Sequence, residues 1–189
     1  MFAMQVTAFD SPLSLQELAM PQPAAEEVVI KVAACGLNFG DTLLIKGTYQ
    51  EKPPLPFTMG MEMAGVVAAV GSNVTHLAVG QRVAAYSGKN GLAEYAAVPA
   101  SVCVPIPDMM PFTDAAAFLI TYGTSHLALE ERARLKAGER LLVLHGDEFD
   151  SVVKCSPWLA ALGSRAYDFS LDMNLYFNKV RRALGYEYW

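Results

Sequence analysis

A glycine-rich turn is missing from the one place in this chain where a buried strand calls for one. Residues Glu139 to Leu144 (ERLLVL) read as the first strand of a nucleotide-binding α/β unit, yet His145-Gly146-Asp147-Glu148-Phe149-Asp150 follows. A phosphate cradle needs bare backbone at a helix N-terminus. Asp147, Glu148 and Asp150 instead bring charge of the same sign as a phosphate and side chains that fill the space glycine leaves open. Positive charge is also scarce: 14 Lys and Arg stand against 19 Asp and Glu, a net charge of -5. This excludes a general attraction to nucleic acid or to an anionic membrane. The local exception, Lys179, Arg181 and Arg182, reads as a solvated helix end, with nucleic-acid binding as the alternative.

Cysteine is rare and unpaired. Cys35, Cys103 and Cys155 are isolated and odd in number, which excludes a disulfide framework and a paired-cysteine zinc site and leaves three buried free thiols. The most apolar run, Met63 to Val70, falls far short of the roughly 20 residues that a spanning helix needs. No membrane segment is expected. Met1 to Asp10 lack a basic flank followed by a long apolar core, so no secretory signal is read and the expected compartment is cytoplasmic.

What is present suits a folded core: 53% hydrophobic residues and 17% charged. From Met1 to about Ile106 the text is strand-like. Met4 to Phe9, Glu27 to Ala34, Ala64 to Val70, Arg82 to Tyr86 and Ala93 to Val98 each have strand length and β-forming content. Gly71-Ser72-Asn73 and Ser87 to Gly91 read as turns, and Pro53-Pro54-Leu55-Pro56 as a stiff extended loop. After Pro111, Thr113 is expected to cap a helix through Asp114 and Ala115 to Ala117. A second helix is expected over about Ser125 to Leu135, ended by Ala137-Gly138. In the tail, Ser156-Pro157 starts a short helix and Asp172 caps another whose apolar face holds Tyr176, Val180, Ala183 and Leu184.

Several stretches, in order and spacing, resemble the medium-chain dehydrogenase/reductase superfamily in its zinc-free quinone oxidoreductase branch. They are VVIKVAACGLNFGDTLLIKGTY (Val28 to Tyr49), PLPFTMGMEMAGVVAAVGSNV (Pro54 to Val74), VGQRVAAY (Val79 to Tyr86), GLAEYAAVP (Gly91 to Pro99), and AAAFLITYGTSHLAL followed by LKAGERLLVL (Ala115 to Leu144). The resemblance implies an α+β chain, mainly β with helices. It implies a GroES-like β-barrel catalytic domain over residues 1–122, then a linking helix and the first Rossmann-type strand over 123–145. Residues 146–189 form an atypical tail, expected to be helical, in place of a complete nucleotide-binding domain.

The resemblance also implies chemistry. Asn38 stands where the zinc-dependent alcohol dehydrogenases place cysteine, and Met61 where they place histidine, beside the retained Glu62. An amide and a thioether are poor zinc ligands, so no zinc is expected. Without metal, the family reaction is hydride transfer from NADPH to a quinone or enone. Asn38 is then expected to line the nicotinamide and substrate cleft, with a satisfied turn amide near Gly40 as the structural alternative. Asp41 is equally well read as a cap. Tyr49 matches a substrate-facing tyrosine; the alternative is a loop aromatic packed over Pro53 to Pro56. Leu43, tyrosine in some members, makes the cleft less polar. Thr124 matches a threonine that approaches the nicotinamide carboxamide; the alternative is a helix-interior hydroxyl bonded to its own backbone. Cys35 reads as a buried thiol in a strand, His76 as solvent-facing, His126 as an interhelical contact, and His145 as a lone strand-end residue.

Because adenine, ribose and pyrophosphate contacts anchor most of a dinucleotide, weak NADPH binding and little or no turnover are expected of this polypeptide. Three readings follow. One is a quinone-reductase-type oxidoreductase. Another is a non-catalytic GroES-like module binding a small molecule or protein in its apolar cleft. The third is a truncated or engineered remnant, which would self-associate into a homo-oligomer through uncovered apolar surface.

Overall fold

In the computed structural model, which describes residues 1–136 and 138–139, the strand-forming text folds as two antiparallel sheets. The smaller sheet has the order β2-β1-β4, with β1 at Phe2–Val6, β2 at Ser14–Glu17 and β4 at Phe57–Thr58. The larger has the order β7-β3-β5-β6-β8. Its strands are β3 (Glu27–Gly36), β5 (Glu62–Val70), β6 (Arg82–Tyr86), β7 (Tyr95–Pro99) and β8 (Cys103–Pro105). The larger sheet buries Val28, Ile30, Met63, Val67, Val83 and Val98 in one continuous core.

The expected β-barrel does not form. Closure requires an unbroken ladder around every strand. Here β7 and β8 are the two ends of the larger sheet and do not pair. Among the described residues the sheets meet at a single bridge, Ala3 to Ala93, flanked by the bonds Met4 N–H to Leu92 O (2.8 Å) and Glu94 N–H to Phe2 O (3.1 Å). Register shifts at Val29/Ile30 and Val32/Ala34 bend β3 against β5. One face is then covered by a helix, α2 (Phe112–Ala116), whose Ala115 and Ala116 pack on Ala64 of β5 and Ala84 of β6. Arg82 lies 4.0 Å over the Phe112 ring and donates to Met110 O, which fixes that cover.

Strand expectations are met in β6 and nearly in β3 and β5. β1 starts two residues earlier than expected and stops at Val6, since Phe9 leaves the sheet to pack against Gly47. The short strands β2, β4 and β8 are too brief to show a period. A helix, α1 (Phe39–Lys46), interrupts the region read as all strand. Thr113 is not the cap of α2: Pro111 holds that position and Thr113 lies inside the first turn. The chain breaks at Ala117, continues as α3 (Phe118–His126) and runs into a π-helical turn, Leu127–Arg132. The strand expected at 141–144, His145, Cys155 and the tail helices lie outside the described residues. Among the described residues no helix is long and apolar enough to cross a membrane.

Candidate functional site

β3 ends at Gly36, and the next turn delivers Asn38 to the N-terminus of α1. Gly36 is required there, because a Cβ would stand 2.5 Å from Ala116 O and 2.6 Å from Glu62 Oε1. Asn38 and Asp41 form a capping box, in which Asp41 Oδ2 accepts the Asn38 N–H at 2.8 Å. Gly47, at φ 67°, closes the other end of α1 by donating to Leu44 O at 3.0 Å, and Thr48 N–H reaches Leu43 O at 3.0 Å. This Asn-x-x-Asp start and glycine stop were the signals that mark α1 in the sequence; the apolar run around them hid the helix.

Burial pushes the Asp41 carboxyl above the usual carboxylate range, and the charge of Glu62 adds to this. The backbone amides of Asn38, Met61 and Gly60 oppose it. Glu62, at the start of β5, is 2% exposed. Its Oε1 accepts Asn38 Nδ2–H at 3.0 Å, and its Oε2 accepts the Ile120 N–H of α3 at 3.0 Å.

A cleft of about 550 Å³ opens beside this carboxylate. Asn38, Leu43, Tyr49 and Met61 line it from the side of α1 and the start of β5, Ile120, Gly123, Thr124 and Leu127 from α3 and the turn that follows, and Tyr86 of β6 lines it as well. The structure therefore brings Asn38, Tyr49 and Thr124 together on one cavity, and every lining residue belongs to the unit Met1–Leu135. Gly40 leaves room for the wall: a Cβ there would lie 3.0 Å from Met61 Sδ and 3.4 Å from Tyr49 Cε2. Tyr49 also borders a smaller cavity with Gln50, Glu51 and Pro53, so it touches the cleft and the proline loop at once. Among the described residues the Thr124 hydroxyl makes no hydrogen bond to its own helix; that of its neighbour Ser125 does, to Thr121 O at 2.9 Å. Tyr86 was not anticipated from the sequence, where it reads only as a strand end. Burial raises its phenol pKa above the usual value, and Tyr49, Glu51 and Glu62 push the same way, so it stays a hydrogen-bond donor.

Among the described residues His126 makes no hydrogen bond or ion pair to another helix. It lies exposed, 3.6 Å from Glu130 one turn along the same helical path. His76 is exposed, with Nε2 3.3 Å from Ala100 O. Among the described residues no group of three His, Cys, Asp or Glu side chains could hold a metal ion.

Burial, with the charges of Asp41 and Glu62, pushes the Cys35 thiol up to about 12; burial alone raises Cys103 to about 11. At pH 8, thiolate is then on the order of 10⁻⁴ of Cys35. A thiol whose folded value exceeds its unfolded value near 9.0 contributes stability that is complete below pH 9 and lost as pH rises through the folded value. Alkylation by iodoacetamide at pH 8, followed peptide by peptide by mass spectrometry, is expected to be slower in the folded protein than in urea by about a hundredfold at Cys103 and about a thousandfold at Cys35. Rapid labelling of folded Cys35 at neutral pH would contradict this.

The family model for the alcohol dehydrogenase GroES-like domain matches residues 24–108. Quinone oxidoreductase-like protein 2 of Rattus norvegicus is 42% identical over 137 residues, covering 72% of this chain and 39% of that protein. Quinone oxidoreductase of the same organism is 40% identical over 150 residues, covering 77% and 45%. Among solved structures, the quinone oxidoreductase from Thermus thermophilus, described together with its complex with NADPH, superposes with a TM-score of 0.64 at 38% identity, covering 74% of this chain and 43% of that one. The chain thus spans less than half the length of these relatives.

Proposed function

Because this chain belongs to the zinc-independent quinone oxidoreductase branch of the medium-chain dehydrogenase/reductase superfamily, we propose that its cleft receives the nicotinamide end of NADPH beside a quinone or enone. The observation that carries this is the convergence of Asn38, Tyr49 and Thr124 on one largely apolar cavity. Its volume, about 550 Å³, lies within the range of small-molecule sites. The walls fit a flat heteroaromatic ring: Leu43, Met61, Leu119 and Leu127 exclude water, while the Asn38 amide and Thr124 hydroxyl supply hydrogen bonds at the rim. NADPH, when bound, supplies the hydride.

The protein's part is to orient and to stabilise charge. Asn38 and Thr124 hold the carboxamide side, and Tyr49 faces the electron-poor carbonyl. Tyr86, protonated well beyond neutral pH, is a second phenol able to donate to the oxygen that becomes negative. On this reading residues 1–122 supply the catalytic half, 123–145 the link and first nucleotide-side strand, and 146–189 an added tail. The described residues contain no glycine cradle for the pyrophosphate, and the sequence after Leu144 runs into Asp147, Glu148 and Asp150.

Binding is accordingly expected to be weak, with Kd on the order of 1 mM, or about -4 kcal/mol. Titration of the whole chain with NADPH, followed by nicotinamide fluorescence, tests this, together with quinone-dependent oxidation of NADPH. Asn38→Ala and Thr124→Ala are each expected to weaken binding several-fold, as loss of one hydrogen bond of about 1 kcal/mol requires. Saturation unchanged in both variants would defeat the assignment. The cleft's completeness within Met1–Leu135 also supports a second reading, a non-catalytic module for an apolar ligand. Quinone binding that is indifferent to NADPH and proceeds without its oxidation would favour that one.

A further inference from the structure

Glu62 is a buried carboxylate with two hydrogen-bonded neighbours and no cation: among the described residues the sole ion pair is His126 with Glu130. Burying a carboxylate without compensation is costly, so its two donors carry the explanation. One is Asn38 Nδ2, on the wall formed by α1. The other is Ile120 N–H, the third residue of α3 and one of the first-turn amides that a helix leaves unpaired. α3 has no cap of its own, because Ala117 occupies that position and offers no side-chain acceptor. Glu62 therefore caps α3 from another element, where the helix dipole favours negative charge.

Ile120 and Thr124 are one helical turn apart and line the same cleft. The carboxylate that ends one hydrogen bond at Asn38 thus ends the other one turn from Thr124. We infer that Glu62 is a positioning residue: it clamps the two cleft walls in register and, because a carboxylate offers only acceptors, turns the NH₂ edge of Asn38 toward itself. The orientation of the Asn38 amide is then set by Glu62 and not by the ligand.

Glu62→Gln is nearly isosteric, but its NH₂ group faces one of the two donors. In ¹⁵N-labelled whole chain, the Asn38 side-chain and Ile120 backbone amide signals are expected to move, and Ile120 amide exchange to quicken about tenfold, since one charge-assisted hydrogen bond is weakened. Asn38→Ala is the second arm, at the half-exposed cleft wall, with urea unfolding used to check that the variant is folded. It is expected to shift the Ile120 signal through Glu62, although no hydrogen bond joins Asn38 to Ile120 directly. Unchanged Ile120 signals in both variants would overturn the clamp.

A binding arm rests on the NADPH reading above. Glu62→Gln is expected to weaken NADPH binding up to several-fold in the wild-type background, no more than Asn38→Ala itself does, and far less in Asn38→Ala, because the two substitutions break one chain of contacts. Additive losses would show that Glu62 acts on stability alone and would sink the positioning role. If wild type does not bind NADPH, the nucleotide reading fails, while the amide signals still decide the clamp.

Discussion

Gly65→Ala is expected to cost the fold on the order of 3–5 kcal/mol, enough to leave much of the chain unfolded at room temperature. Gly65 lies in β5 between Val32 of β3 and Val83 of β6. A Cβ there would overlap Lys31 O and stand 2.9 Å from Ile30 Cγ2. The carbonyl is backbone within a paired strand and cannot move without breaking the ladder beside the β3 bulge. Gly80→Ala is the contrast. Nothing lies within 4 Å of that position, and only its φ of 88° opposes a side chain, for about 1 kcal/mol. Urea unfolding of both variants, followed by circular dichroism, checks the difference. Equal midpoints would show that β3 and β5 can separate freely at this point.

Ile30→Ala carries the second large effect, about 3–4 kcal/mol. Ile30 is fully buried in the core of the larger sheet, among Val28, Met63, Val67 and Val98. Truncation removes buried apolar surface and leaves a cavity bounded by paired strands that cannot collapse into it. The two predictions are linked. Removing Ile30 Cγ2 relieves only the milder of the two contacts at Gly65, so the double variant is expected to be no more stable than Gly65→Ala alone. Recovery of stability in the double variant would place the steric conflict in the side chain and not in the Lys31 carbonyl.

These effects bear on the site as well as on the fold. β3 leads into Asn38, and Met61 and Glu62 stand at the start of β5, so the strands that hold the core also set the cleft's inner wall. The edge strands β2 and β8 contribute nothing to the cleft's lining.

Long strands were legible because they carry a signal that composition preserves. Arg82 to Tyr86 emerged with the expected bounds, and the β3 and β5 stretches within two residues. α1 was not legible, although Asn38, Asp41 and Gly47 mark its ends, because Leu43, Leu44 and Ile45 continue the apolar texture of β3 across a turn. Strands of two to four residues have too few positions for any alternation to appear. The barrel expectation failed for a different reason. Whether end strands meet depends on bulges, strand lengths and a covering helix, none of which leaves a local pattern.

By itself the sequence determined the family, the poverty of the metal-ligand set at Asn38 and Met61, and the acidic text after Leu144, since residue identity and order are enough to decide each. Tertiary structure alone decided that the sheets stay open, that Tyr86 joins the cleft, and that Glu62 meets Asn38 and Ile120 at once. Those contacts join residues up to 58 apart in the chain. Their geometry arises only when strand pairing brings the two walls to a common carboxylate, and no local propensity encodes such a meeting.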